Sequence, residues 1–130
     1  MSIDSSTRFL VHSDSLFMVR IMRELLNELG FCHVDHATES EIALNKLKEG
    51  VYGFVLSNWD SPKLPGVGLL RAIRATPELS HLPFLMFTAE ESPGYIDLAM
   101  KAGANGFFTW PWKSVLLNKK LNEVLTKMRK

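Results

Sequence analysis

The sequence predicts an α/β protein: a doubly wound, five-stranded parallel sheet built as (βα)5. Three observations carry that prediction. Five short apolar runs each end in polar residues, each is followed by a stretch with helical periodicity, and the connections are only a few residues long. Strictly alternating strands and helices imply parallel strands with helices on both faces, and right-handed crossovers leave few topologies open. A length of 130 residues suits one domain with a single real core, so residues 1–130 are expected to form one unit.

The elements follow in order. Arg8-Phe9-Leu10-Val11-His12 is a compact run that stops at Ser13-Asp14-Ser15, a strand followed by helix-capping residues. Met18, Ile21, Met22, Leu25, Leu26 and Leu29 then mark one helical face, closed by Gly30 at a C′ position. Phe31 to Ala37 reads as a weaker strand. Thr38-Glu39-Ser40-Glu41 has capping-box spacing and opens a short helix that reaches Gly50.

Phe54-Val55-Leu56, behind Gly53, predicts a buried third strand with a polar end at Ser57-Asn58. A turn-rich loop, Asp60 to Gly66, leads to a helix carrying Leu69, Leu70 and Ile73 that runs out before Pro77. Pro83 to Thr88 is a fourth strand. Ser92-Pro93 supplies an N-cap with proline at N1, and that helix ends at Gly103. Gly106 to Thr109 is the last strand, followed by Trp110-Pro111-Trp112 and a final helix capped by Ser114.

Composition narrows the function classes. The apolar fraction of 46%, charged fraction of 22% and net charge of +1 are those of an ordinary globular protein, with no global field that favours nucleic acid. No run is long enough to span a membrane, and the N-terminus lacks the basic and apolar regions of a signal peptide. Cys32, the only cysteine, allows no internal disulfide and fits a reducing compartment. A cytoplasmic protein is the expectation.

In an open parallel sheet, ligands gather in the crevice beyond the carboxyl ends of the strands. The residues expected there are Ser13 and Asp14, Asn58, Thr88 and Trp110. Several other stretches carry a family likeness: Leu25-Leu26-Asn27-Glu28-Leu29-Gly30-Phe31, Ala43-Leu44-Asn45-Lys46-Leu47, Tyr52-Gly53-Phe54-Val55, Thr88-Ala89-Glu90 and Lys101-Ala102-Gly103-Ala104. With these residues the chain resembles the response-regulator receiver domains, and among them the single-domain CheY-type chemotaxis regulators of flavodoxin-like fold. The likeness covers nearly the whole chain.

The resemblance also shows departures at the site. The family's acidic pair after the first strand falls on Ser13 and Asp14, and its phosphoacceptor aspartate falls on Asn58. Its hydroxyl residue is kept as Thr88, and its switch aromatic falls on Phe107. Its lysine before a proline falls on Trp110, with Pro111 kept, and the resemblance implies a cis peptide there. Receiver phosphorylation uses a carboxylate nucleophile and Mg²⁺ to offset phosphoryl charge. An amide cannot form a stable acyl phosphate, an indole supplies no point charge, and Asp14, even with Asp60, is a poor Mg²⁺ site.

The leading expectation is therefore a degenerate site with no catalytic residue, no metal, no cofactor and no small-molecule substrate. The module would signal by binding a protein partner through the face of its fourth helix, fifth strand and fifth helix, with Phe107 and Trp112 on that surface. One alternative is a receiver still phosphorylated at a surrogate such as Asp60 or Ser57, with Ser61 nearby. A weaker one is a flavodoxin-like cofactor binder using Ser13-Asp14-Ser15 as its phosphate loop.

Three further features have ordinary readings beside sharper ones. In Trp110-Pro111-Trp112 one indole can fill the vacated pocket while the other offers an interaction hot spot; Trp59 is expected beside Trp110 at the cleft border. His33 and His36 lie three apart on a strand and so face opposite ways, which argues against a metal pair. The basic residues after Pro111 (Lys113, Lys119, Lys120, Lys127, Arg129 and Lys130, against Glu123) read as a solvated helix face, without a recognisable nucleic-acid reading element.

Overall fold

The computed structural model describes residues 3–59, 65–89 and 92–128. Its elements alternate strictly: β1 (Arg8–His12), α1 (Leu16–Glu28), β2 (His33–Ala37), α2 (Ser40–Glu49), β3 (Phe54–Asn58), α3 (Pro65–Ala75), β4 (Phe84–Thr88), α4 (Pro93–Ala102), β5 (Gly106–Thr109) and α5 (Ser114–Met128). The strands form one parallel sheet in the order β2-β1-β3-β4-β5. The expected fold class is the observed one.

Alternation along each strand divides the core into two layers. Phe9 and Val11 of β1 and Phe54 and Leu56 of β3 pack under α1 and α5, together with Phe87 and Phe108. Leu10, Val55 and Met86 point the other way, beneath α2, α3 and α4. β3 and β4 are buried along their whole length, which is why they read as continuous apolar runs. The polar residues that close those runs are thereby carried to one end of the sheet.

Local chemistry sets the helix ends. Ser15 is the N-cap of α1, and its Oγ accepts from Met18 N at 3.3 Å. After Leu29, Gly30 adopts φ +93°, so that Phe31 N reaches Leu26 O at 2.9 Å and Gly30 N reaches Asn27 O at 3.0 Å. This closing motif draws Phe31 into the core beside Phe9, with ring centroids 4.9 Å apart. It also explains why β2 begins at His33 and not at Phe31. Gly103, at φ +106°, ends α4 in the same manner.

Three capping expectations need correction. α2 is capped by Glu39 with no side-chain hydrogen bond, so the box from Thr38 to Glu41 does not form. Ser92 occupies the N-cap of α4 ahead of Pro93, but its hydroxyl makes no cap bond either. Ser114 lies inside α5: Lys113 O accepts from both Leu116 N and Leu117 N, so the cap stands one residue earlier.

Candidate functional site at the carboxyl ends of the strands

Parallel pairing gathers the ends of β1, β3 and β4 into one crevice. His12 pairs with Ser57, Asn58 with Phe87, and Thr88 with Thr109. Ser13, Asn58 and Thr88 are all almost fully buried, while Asp14 is exposed. The structure thus brings together the amide and two of the hydroxyls expected at the site, and leaves the carboxylate at the rim.

The contact at its centre is from Asn58 Nδ2 to Ser13 Oγ, 3.0 Å. Ser15 N also donates to Ser13 Oγ, at 3.1 Å. Ser13 is thus the acceptor for two N–H groups, which uses both lone pairs of its hydroxyl oxygen. The first turn of α1 and the end of β3 are tied through that one atom.

Beneath this pair lies a second polar chain: His12, at the end of a central strand, reads from the sequence as a satisfied, partly buried histidine, but its partners cannot be read there. His12 is fully buried; its Nδ1 is 2.9 Å from Ser57 Oγ, and its Nε2 is 3.3 Å from Ser40 Oγ. Both ring nitrogens are therefore engaged, one from β3 and one from the first turn of α2. Burial pushes the imidazole down to about 4, with the Asp14 carboxylate pulling the other way. His12 is a neutral connector between strand and helix. Its pairing depends on register between strands far apart in the chain, which no local pattern carries.

Ser57 is itself fully buried on the side of the sheet that faces α2 and α3. Asp60 and Ser61 lie outside the described residues. Trp59 does not border the cleft as expected. It is completely buried in the second core layer, and a Cβ added at Gly66 would overlap its Nε1 and Cδ1. α3 can start directly over the indole only because residue 66 is glycine.

The two remaining tryptophans are also reassigned. Trp110 does not fill the pocket; it is 65% exposed. Trp112, expected on the outer surface, is the one that packs against the α1–α5 core layer. The rings meet edge-to-face at 5.2 Å, across a cis Trp110-Pro111 peptide as the resemblance implied. Phe107 packs against the second layer, and Lys120 Nζ lies 4.9 Å from its ring centroid. Among the described residues no three His, Cys, Asp or Glu side chains cluster as metal ligands, and no helix is long and apolar enough to cross a membrane.

The crevice thus lies where a 2-1-3-4-5 parallel sheet ends, with the Thr88 hydroxyl closing β4 and a cis Trp110-Pro111 peptide after β5. Residues 9–122 match the response regulator receiver domain, and the chain belongs to that family. It is 36% identical over 126 residues to chemotaxis protein CheY-3 of Vibrio cholerae, covering 97% of each chain. It is 36% identical over 121 residues to chemotaxis protein CheY of Pseudomonas aeruginosa, covering 93% of this chain and 98% of that one. Among solved structures, chemotaxis response regulator CheY4 of Vibrio cholerae matches with a TM-score of 0.79 at 25% identity, over 91% of this chain and 98% of that one. The chain is thus a CheY-like receiver domain of the two-component type.

Proposed function

We propose that this receiver acts by binding a protein partner, without aspartyl phosphorylation, and that its crevice is kept for shape. The observation that carries the reading is the bond from Asn58 Nδ2 to Ser13 Oγ. Asn58 stands where the family's acceptor carboxylate would be, and its nitrogen lone pair is delocalised into the amide. It cannot attack phosphorus and leave a stable acyl phosphate.

The donor set is also wrong for Mg²⁺, which wants octahedral oxygen with one or two carboxylates. Asn58 turns an N–H, not an oxygen, toward Ser13, and both lone pairs of the Ser13 hydroxyl already accept hydrogen bonds. Asp14 is the remaining carboxylate among the described residues of the crevice, with Asp60 outside them. The residues present do not fit the metal.

Phosphorylation at Ser57 is the competing reading, since its hydroxyl lies beside an imidazole. Complete burial argues against it: the oxygen is 2.9 Å from His12 Nδ1 and lies beneath Gly66 at the start of α3. A flavodoxin-like cofactor site is disfavoured because Ser13 is almost fully buried and the exposed residue of the candidate loop is Asp14, a carboxylate that repels phosphate.

The partner surface we assign is the face of α4, β5 and α5. A small groove there is lined by Met100, Phe107, Val124, Lys120, Lys127 and Glu123, whose carboxylate lies 3.7 Å from Lys120, so its edge carries both signs of charge. The relatives are named for chemotaxis, and a chemotaxis-type pathway is the corresponding proposal for this chain. The test is a titration with Mg²⁺, with and without acetyl phosphate, followed by tryptophan fluorescence, because exposed Trp110 reports on this end of the sheet. No saturable change at millimolar metal is expected; a saturating response would overturn the reading.

A further inference from the structure

β2 is one border of the sheet: it pairs with β1, and among the described residues no strand lies beyond it. In a parallel pair, alternate residues direct their N–H and C=O toward the neighbouring strand. Ala37 O accepts from Ser13 N at 3.1 Å, so His33, Asp35 and Ala37 are the residues whose backbone faces β1. Val34 and His36 therefore turn their N–H and C=O outward, where a further strand would bond.

Both outward carbonyls are already taken, each by a cation. Lys46 Nζ of α2 donates to His36 O at 2.8 Å. Arg23 Nη2 of α1 lies 3.4 Å from Val34 O and 3.2 Å from His36 Nδ1. The two side chains reach the edge from opposite faces of the sheet, since α1 covers one face and α2 the other. Both are half-buried, unlike Arg20 and Lys48 on the same helices, which are exposed. Neither is held by a carboxylate among the described residues, where the ion pairs are Arg20–Glu24, Asp97–Lys101 and Lys120–Glu123. An open edge is a template for another chain, and charge laid over it is one way in which proteins blunt it.

The strand is also suited to pair with itself. A two-fold axis through Asp35 would set Val34 of one copy against His36 of the other in an antiparallel ladder. Each such pair would exchange both of its backbone bonds, so a second copy needs the two carbonyls that Arg23 and Lys46 occupy. Asp35 would meet its own copy across the axis, like charge against like. That carboxylate accepts from Tyr52 Oη at 2.6 Å.

We propose that Arg23 and Lys46 form a two-sided guard that holds the β2 edge closed against strand pairing with a second copy of this chain. With the guard in place the sheet ends at β2 and the receiver stays a monomer, its helix layers free to meet a different protein. Asp35 is the secondary obstacle to the same pairing.

The test removes the guard from the full chain. One variant combines Arg23→Ala and Lys46→Ala with Asp35→Asn, which drops the facing charges and still accepts from Tyr52. The control combines Arg20→Ala and Lys48→Ala with the same Asp35→Asn, an equal change of charge that leaves both carbonyls covered. Sedimentation equilibrium should show the parent and the control as monomers, and the unguarded variant associating into dimers at least about tenfold more tightly than the control. In that dimer the Val34 and His36 amides should exchange hydrogen more slowly. Adding Val34→Pro should return the variant to monomer, because proline removes an outward N–H without costing a bond to β1. Circular dichroism follows the fold; should the triple variant fail to fold, Lys46→Ala against Lys48→Ala carries the same comparison. Association no tighter than the control's would overturn the proposal. So would a dimer that survives Val34→Pro or leaves both amides unprotected, or a parent dimer that Val34→Pro dissolves.

Discussion

Asn58 and Ser13, forty-five residues apart, are joined by a 3.0 Å hydrogen bond in which the amide of β3 donates to the hydroxyl that follows β1. Both side chains are almost completely buried. A receiver that carried two carboxylates at these positions would have like charges facing each other; here a neutral donor meets a neutral acceptor. The pair is therefore stable without a cation.

Restoring the acid alone should cost stability without restoring chemistry. Asn58→Asp puts an almost fully buried carboxylate where a neutral amide stood, and although the Ser13 hydroxyl can turn its O–H toward it, taking the charge out of water costs stability. The penalty should be about 1–3 kcal/mol at neutral pH. Burial would raise that carboxyl in the folded state, so the penalty should fade as pH drops toward the ordinary carboxylate range. Urea unfolding at two pH values checks the stability, and mass labelling by acetyl phosphate should remain slow because Ser13 and Trp110 are unchanged.

His12 should make the fold acid-sensitive. Its folded value of about 4 lies below the ordinary 6.5, so the unfolded chain binds the extra proton as pH falls between them. Stability from this group is full above about pH 7 and lost progressively toward pH 4, by about 3 kcal/mol in all. His12→Gln keeps hydrogen-bonding capacity toward Ser57 and Ser40 but removes the titration. Its unfolding free energy should be lower at pH 8 yet flatter across that range than the parent's.

Gly66→Ala tests the seat of Trp59. The new methyl would overlap the indole and lie 2.7 Å from Ser57 Oγ, in a region with no room to yield. Overpacking of this kind costs about 1–3 kcal/mol. The expected readout is a lower urea midpoint with unchanged slope; an unchanged midpoint would mean that α3 can shift away from the sheet.

At the opposite end of the sheet, Arg74 fastens α3 to two loops. Its guanidinium donates to Gly103 O from Nε at 3.0 Å and Nη2 at 2.8 Å, to Leu82 O at 2.7 Å, to Ser80 O at 3.1 Å and to Asn105 Oδ1 at 2.9 Å. Asn105 Oδ1 in turn accepts from Phe84 N at 2.8 Å. Arg74→Ala should lower stability by about 2–4 kcal/mol through the carbonyls left unpaired. Arg74→Lys should recover little of it, because an ammonium cannot match that planar fork. Thermal melts of both variants check the claim.

The contrast between these residues shows what was legible before the structure. Strand and helix order followed from apolar periodicity, and Gly30 and Gly103 were readable as helix ends because their positive φ is a local demand. The crevice residues Ser13, Asn58 and Thr88 were readable because a parallel sheet must bring its strand ends together. The His12–Ser57–Ser40 chain and the Arg74 clamp were not, since each joins segments whose proximity depends on register and loop packing. Trp110 and Trp112 looked alike in sequence; which one turns inward is decided by the turn after β5, and the inward one proved to be Trp112.

Phosphorylation independence is tested most directly by intact mass spectrometry of the full chain after incubation with Mg²⁺ and acetyl phosphate. The expected spectrum shows the unmodified mass alone, as amide Asn58 and buried Ser57 offer the phosphoryl group no acceptor. A gain of one phosphoryl group would contradict the central claim, and fragment masses placing it at Asp60 would identify a working surrogate acceptor.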